Sequence, residues 1–255
     1  MSLPEQLCVS NVETIVDRLG LTEVAGPDGT DRMVLTSPMV PDKPVGRMRV
    51  WTGELPSGGS IQLVYVGLTV DMIKLDSHMM FAFTDPHSAV PHFTIDAVGN
   101  DDDFAFHLDQ IPRLDLGAHL AYMDHCFTPL TEIREQGMAI EGLSKANIAP
   151  RQWALMSEWM IVHRASQPAF NEITGTVAAY REQWLGLAQA GIPAELLDGV
   201  TADELSLRDQ RNRAAIFNPD VDVVWARVAQ LVGDDQSEIV RTTLATQGAL
   251  LEATP

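Results

Sequence analysis

The chain has 255 residues, 45% hydrophobic and 20% charged, which suits one large globular domain or two small ones with a sizeable core. Its 35 acidic against 17 basic residues leave a net charge of −18, a field that repels phosphate backbones and anionic membranes and argues against nucleic acid as a partner. No run nears the roughly 20 apolar residues of a membrane span, no basic region precedes an apolar stretch at the N-terminus as in a secretion signal, and Cys8 and Cys126 suffice for neither a disulfide framework nor a four-thiolate metal site, so a cytoplasmic protein with reduced thiols is expected.

Pro4 to Leu19 carries Leu7, Val12, Ile15, Val16 and Leu19 near one stripe, with Gly20 as a stop, and predicts a helix covering a sheet. From Gly26 to Pro56 the composition turns to Pro, Gly, Asp and Thr, read as loops with one or two edge strands. Ser57-Gly58-Gly59 is a turn, Ile61 to Gly67 a β-rich segment and Val70 to Leu75 a further strand. Strands follow at His78 to Phe83, Pro91 to Asp96 and Phe104 to Asp109, the last two joined by the hairpin turn Gly99-Asn100-Asp101-Asp102-Asp103.

After Leu116 the texture becomes helical. A short helix is expected over Gly117 to Phe127, continued from Pro129 to Gln136. Gln152 to Arg164 bears aromatic and Met residues of core character. Ile173, Val177, Tyr180, Trp184 and Leu187 form a helical stripe ended by Gly191 and Pro193. Leu205 to Phe217 is the next helix, Asn218-Pro219 offers an N-cap and first-turn Pro for another, and Asp235 with Glu238 resembles a capping box for the last. The sum is one α+β domain over 1–255. It is an α/β/α sandwich with a central antiparallel sheet of about five to six strands, helix and sheet to about residue 116 and a mainly helical second half. No βαβ alternation and no Gly-rich phosphate loop appears, which disfavours a dinucleotide fold.

Counting across the loop at Asp85, Pro86 and His87 pairs Phe83 with Pro91, Met80 with Thr94 and His78 with Asp96. Pairing Gly99 with Phe104 sets Asp96 opposite His107. One face then reads Met79, Phe81, Phe83, Phe93, Ile95, Phe104, Phe106 and Leu108, a core. The other reads His78, Met80, His92, Thr94, Asp96, His107 and Asp109. That face is either solvated, as antiparallel sheets often are, or turned toward a ligand, since it lacks the Lys and Arg of solvated faces. Directly opposed partners approach to about 5 Å, so a His78, Asp96 and His107 row would couple protonation states and suit proton donation. A metal held by His92 and His107 with Asp96 or Asp109 is an alternative, although no His-Glu-x-x-His or paired-Cys spacing supports it. No Gly-x-Ser-x-Gly elbow supports nucleophilic catalysis, and His119, His125, His163 and Cys126 read as structural.

Pro91-His92-Phe93-Thr94-Ile95-Asp96, a short Gly/Asp turn, and then Phe106-His107-Leu108-Asp109-Gln110-Ile111-Pro112-Arg113-Leu114-Asp115-Leu116 resembles the middle of the red chlorophyll catabolite reductases and, more distantly, the ferredoxin-dependent bilin reductases. The resemblance implies an antiparallel sheet flanked by helices and a reductase with no bound cofactor. An open-chain tetrapyrrole lies between one sheet face and the C-terminal helices, takes electrons singly from ferredoxin and receives protons from acids and a histidine. On that resemblance Asp96 falls at an acidic proton donor, His78 near its histidine partner, and Asp209 is the candidate for a second acid. His92, Thr94, His107 and Met80 then face substrate. Arg113, Arg211 and Arg213 are candidates for binding substrate carboxylates.

A ferredoxin-type donor is the implied partner, yet docking an acidic ferredoxin takes a basic patch, and no Lys/Arg cluster stands out. The readings carried forward are a reductase of an open-chain tetrapyrrole or similarly flat conjugated molecule, an acid–base isomerase or lyase on a hydrophobic aromatic substrate, and a ligand-sequestering protein. Nothing in the sequence decides between monomer and homodimer.

Overall fold

The computed structural model describes residues 1–26, 29–100 and 102–246. Asp101 of the expected hairpin turn, residues 27–28 of the expected loop region and the 247–255 end of the expected domain lie outside them. Helix α1 (Leu3–Leu19) starts at Ser2, whose hydroxyl accepts the Glu5 N–H, has Pro4 in its first turn and ends at Gly20, whose φ of 63° closes it in the left-handed region.

The strands are β1 (Thr22–Glu23), β2 (Met33–Leu35), β3 (Gly46–Glu54), β4 (Ser60–Val70), β5 (Leu75–Thr84), β6 (His92–Asn100), β7 (Asp103–Ile111), β8 (Leu143–Lys145) and β9 (Ile161–Ser166). The remaining helices are α2 (Leu120–Cys126), α3 (Thr131–Met138), α4 (Pro150–Trp153), α5 (Gln167–Ala190), α6 (Ala202–Ile216), α7 (Val224–Val232) and α8 (Asp234–Ala245). Among the described residues no helix is long and apolar enough to cross a membrane.

All nine strands join one sheet in the order β1-β3-β4-β5-β6-β7-β9-β8, with β2 also on β3, and each pairing is antiparallel. The expected five to six strands are therefore too few. Short β1, β2 and β8 add to the edges, and β9 arises in the half read as helical, so the sheet does not stop near residue 116. Trp153, Met156, Trp159 and Met160 imitate a helical stripe and mask the strand that begins directly after them. Val70 to Leu75 is no strand either: Asp71–Ile73 is a 3-10 turn between β4 and β5. Asn218-Pro219 does not open α7, which begins at Val224. Helix α8 follows Gly233 directly, and Glu238 pairs with Arg241 at 2.7 Å instead of closing a capping box.

Strands β6 and β7 pair as counted, Asp96 with His107 and Gly99 with Phe104. Between β5 and β6 the register is one residue away from the count: Met79 faces Asp96, Met80 faces Ile95 and His78 faces Ala97. Thr84 is the cause. It stays in β5, its N–H donating to His92 Nδ1 at 3.0 Å and its hydroxyl donating to the Val90 carbonyl at 2.7 Å, so the loop begins one residue later. A one-residue slip turns every side chain of a strand over. His78 and Met80 therefore leave the Asp96 face, and Met79, Phe81 and Phe83 join it.

Each face builds a core. Under α1 and α5, Met80, Phe93, Ile95, Phe106 and Leu108 pack with Leu7, Ile15, Ile173, Tyr180 and Trp184. On the other side Val64, Val66, Phe81 and Phe83 pack with Ile216, Phe217, Trp225, Val240 and Leu244 of the C-terminal helices and the turn after α6. The rings of Phe93 and Trp184 stack at 5.6 Å, and Phe217 meets Phe81 edge-on at 5.2 Å. The sandwich arrangement holds, and helices roof the face that carries Asp96.

Candidate active site

That roof leaves a space beside Asp96. A cavity of about 250 Å³ opens between the sheet and the segments that cover it, walled by Met79 and Phe81 from β5, Leu155 and Met156 after α4, and Phe217 and Trp225 near α7. Its titratable lining consists of Asp96, His107 and Asp222, with the Gln152 amide nearby. Asp96 and His107 are cross-strand partners, and Asp96 Oδ1 and His107 Nε2 are buried without a hydrogen-bond partner. Buried polar atoms are ordinarily satisfied, so these two are the ones a bound molecule would complete.

Burial lifts the Asp96 carboxyl to about 7, and the charge of Asp222 adds to the rise against a small opposing effect of the Ala97 N–H. Asp222 is itself raised by burial, although the Val224 N–H at 3.0 Å, the Gln152 amide and the charge of Arg227 oppose this. Burial depresses His107 to about 4 and keeps its ring neutral. At neutral pH the wall thus holds one carboxyl that readily carries a proton, a second acid beside it and a neutral imidazole. This arrangement can donate and accept protons in an apolar setting. Next on the same face of β7, Asp109 accepts the Ser157 N–H at 3.0 Å and the Ser157 hydroxyl, tying the roof segment that bears Leu155, Met156 and Met160 to the sheet. Burial raises Asp109 to about 7 in spite of those bonds.

The other sequence candidates are placed elsewhere. Thr94 lies on the cavity side of the sheet, but it is fully buried opposite Phe81 and Asp109 and does not line the cavity. His92, Arg113 and Asp209 form a separate buried network. The Thr84 N–H donates to His92 Nδ1, so Nε2 carries the proton and donates to Asp209 Oδ1 at 2.6 Å. Burial and the Arg113 charge push His92 down to about 3. Burial alone would raise Asp209, but the His92 hydrogen bond and the fields of His92, Arg113 and Arg213 outweigh it and hold Asp209 below the usual carboxylate range.

Asp209 therefore stays ionised and bonded to His92, and it is not brought beside Asp96 in the cavity lining. Arg113 is likewise committed. It donates to the Thr84 hydroxyl at 3.1 Å and the Pro86 carbonyl at 2.8 Å, fixing the loop that ends β5. Arg213 donates to the Leu244 carbonyl and covers the Phe83 ring, and Arg211 is on the exposed side of α6.

The slipped register corrects two further candidates. His78 is buried on the far face, bonded to the Tyr65 hydroxyl at 2.8 Å and to Asp76 at 2.9 Å, so it is no relay partner of Asp96. Met80 sits in the core beneath α1 and α5. Asp222, by contrast, was not singled out from sequence. It falls in the turn before α7, where its carboxylate accepts the Val224 N–H, and a short acid there reads as ordinary capping. Among the described residues no three His, Cys, Asp or Glu side chains gather as a cation site requires.

This antiparallel sheet between helical layers has a counterpart among solved structures. The likeness is to phytochromobilin synthase from tomato, determined in complex with biliverdin: the TM-score is 0.67 over 97% of this chain and 83% of that one, at 14% sequence identity. It is a likeness of fold, and it bears out the fold family suggested by residues 91–116. No family model and no curated protein matches the chain.

Proposed function

We propose that this protein is a reductase of a flat conjugated molecule of the bilin type, supplying the pocket and the protons while an external donor supplies the electrons. The observation that carries this reading is the pair Asp96 and His107, each presenting an unsatisfied buried polar atom at a mostly apolar cavity. Reducing one conjugated double bond consumes two electrons and two protons. Asp96, near its midpoint at neutral pH, gives the first proton to the substrate as charge builds there. Asp222 takes the role of second acid, neutral His107 offers its unpartnered Nε2 to the substrate, and Asp96 regains its proton from solvent. No step calls on a bound cofactor.

Purified protein should bind a bilin or a shorter relative, and Asp96→Asn should keep binding while turnover with a reduced donor falls about 10²-fold or more. Unchanged turnover would remove Asp96 from the mechanism. The net charge of −18 favours a second reading, an acid–base isomerase or lyase that needs no acidic electron carrier. Product formed without reductant would select it, and a ligand recovered unaltered under both conditions would select sequestration.

A further inference from the structure

Resting on the pocket reading above, we propose that the part of the ligand buried against Asp96 is an uncharged or cationic nitrogen heterocycle of about two small rings, bearing N–H groups and no carboxylate. Size is the first argument. An apolar cavity of roughly 150 Å³ accommodates benzene, so about 250 Å³ is room for two small linked rings, and any further rings would extend through the opening. Small-molecule pockets commonly run from roughly 300 to 1,000 Å³, which places this one at the small end.

Charge is the second argument, and it is independent of the first. Among the described residues no Lys or Arg lines the cavity. Arg113 and Arg213 belong to the Asp209 network, 3.5 and 3.8 Å from its carboxylate. Arg151 is exposed and donates to the Asp220 carbonyl at 3.0 Å, and Arg227, exposed on α7, acts only on Asp222, whose rise its charge opposes. Both lie outside the walls. A carboxylate attached to the buried rings would find no cation in the walls and would have to hold Asp96 and Asp222 protonated against its own charge. An N–H or N⁺–H group in the same place donates to the unpartnered Asp96 Oδ1. Biliverdin, whose propionates sit on its two central rings, can bury two adjacent rings only by bringing at least one carboxylate in with them.

Three probes separate the outcomes on the full-length wild-type protein: a neutral alkyl dipyrromethenone, the same molecule with a carboxylate on one ring, and biliverdin. Titration calorimetry should find the neutral dipyrrole bound roughly tenfold or more tightly than either of the others. Asp96→Asn combined with Asp222→Asn should narrow the gap between the two dipyrroles. Equal or tighter binding of the acid analogue or of biliverdin overturns this assignment and leaves the pocket reading standing. Binding by none of the three overturns both.

Discussion

Asp209 lies buried between His92, Arg113 and Arg213, and its negative charge is what allows two guanidiniums to remain inside the fold. Asp209→Ala should lower unfolding free energy by about 3–5 kcal/mol in urea titrations, because it removes the buried carboxylate that both cations and His92 share. Arg211→Ala, on the exposed side of the same helix, should stay within about 0.5 kcal/mol. Asp96 behaves in the opposite sense. Its carboxyl titrates near 7 in the folded protein against an ordinary value of 3.8, so the folded state holds the extra proton between those limits. Stability contributed by Asp96 is therefore full below about 4, declines as pH rises through 7 and changes no further above it. The advantage of Asp96→Asn over wild type should accordingly grow from pH 5 to pH 8, by roughly 1–3 kcal/mol, in thermal or urea unfolding. His107 opposes this trend: depressed to about 4, it adds stability as pH rises from there to 6.5. The two together flatten the wild-type profile.

The segment from α4 to β9 roofs the cavity and is held to the sheet where Ser157 donates twice to Asp109. Ser157→Ala should cost about 1–3 kcal/mol, since one oxygen of a buried carboxylate loses its donor. Amide exchange over residues 155–160 should rise more than in β6. Elements set by local pattern were legible beforehand: the stripe of α1 with its Gly20 stop, and the β6–β7 hairpin, whose alternation correctly placed Asp96 opposite His107. The register of β5 was not legible. It depends on Thr84 bonding to His92 and Val90, and on Arg113 reaching back to the loop carbonyls, contacts that no count along the chain contains. His78 and Met80 were misplaced for that reason alone. Strand β9 was missed because its apolar run continues a helix-like spacing.

Across the whole molecule, the sandwich was readable because an apolar sheet with helices before and after it has few ways to bury both faces. The composition of the cavity was only half readable. Asp96 and His107 are neighbours on one hairpin, whereas Asp222 reaches them from the far end of the chain through tertiary packing. The charge of −18 also acts at this scale. An acidic electron carrier should associate faster as salt is added, because screening removes repulsion, and a basic carrier should associate more slowly, which stopped-flow mixing across ionic strengths would check. The pocket wall has a chemical consequence of its own. Met79, Met156 and Met160 border it, and thioethers adapt their shape to a guest while remaining open to peroxide. Sulfoxides there would turn an oily lining wet, so samples aged in air should lose affinity before they lose structure, and methionine sulfoxide reductase should bring it back.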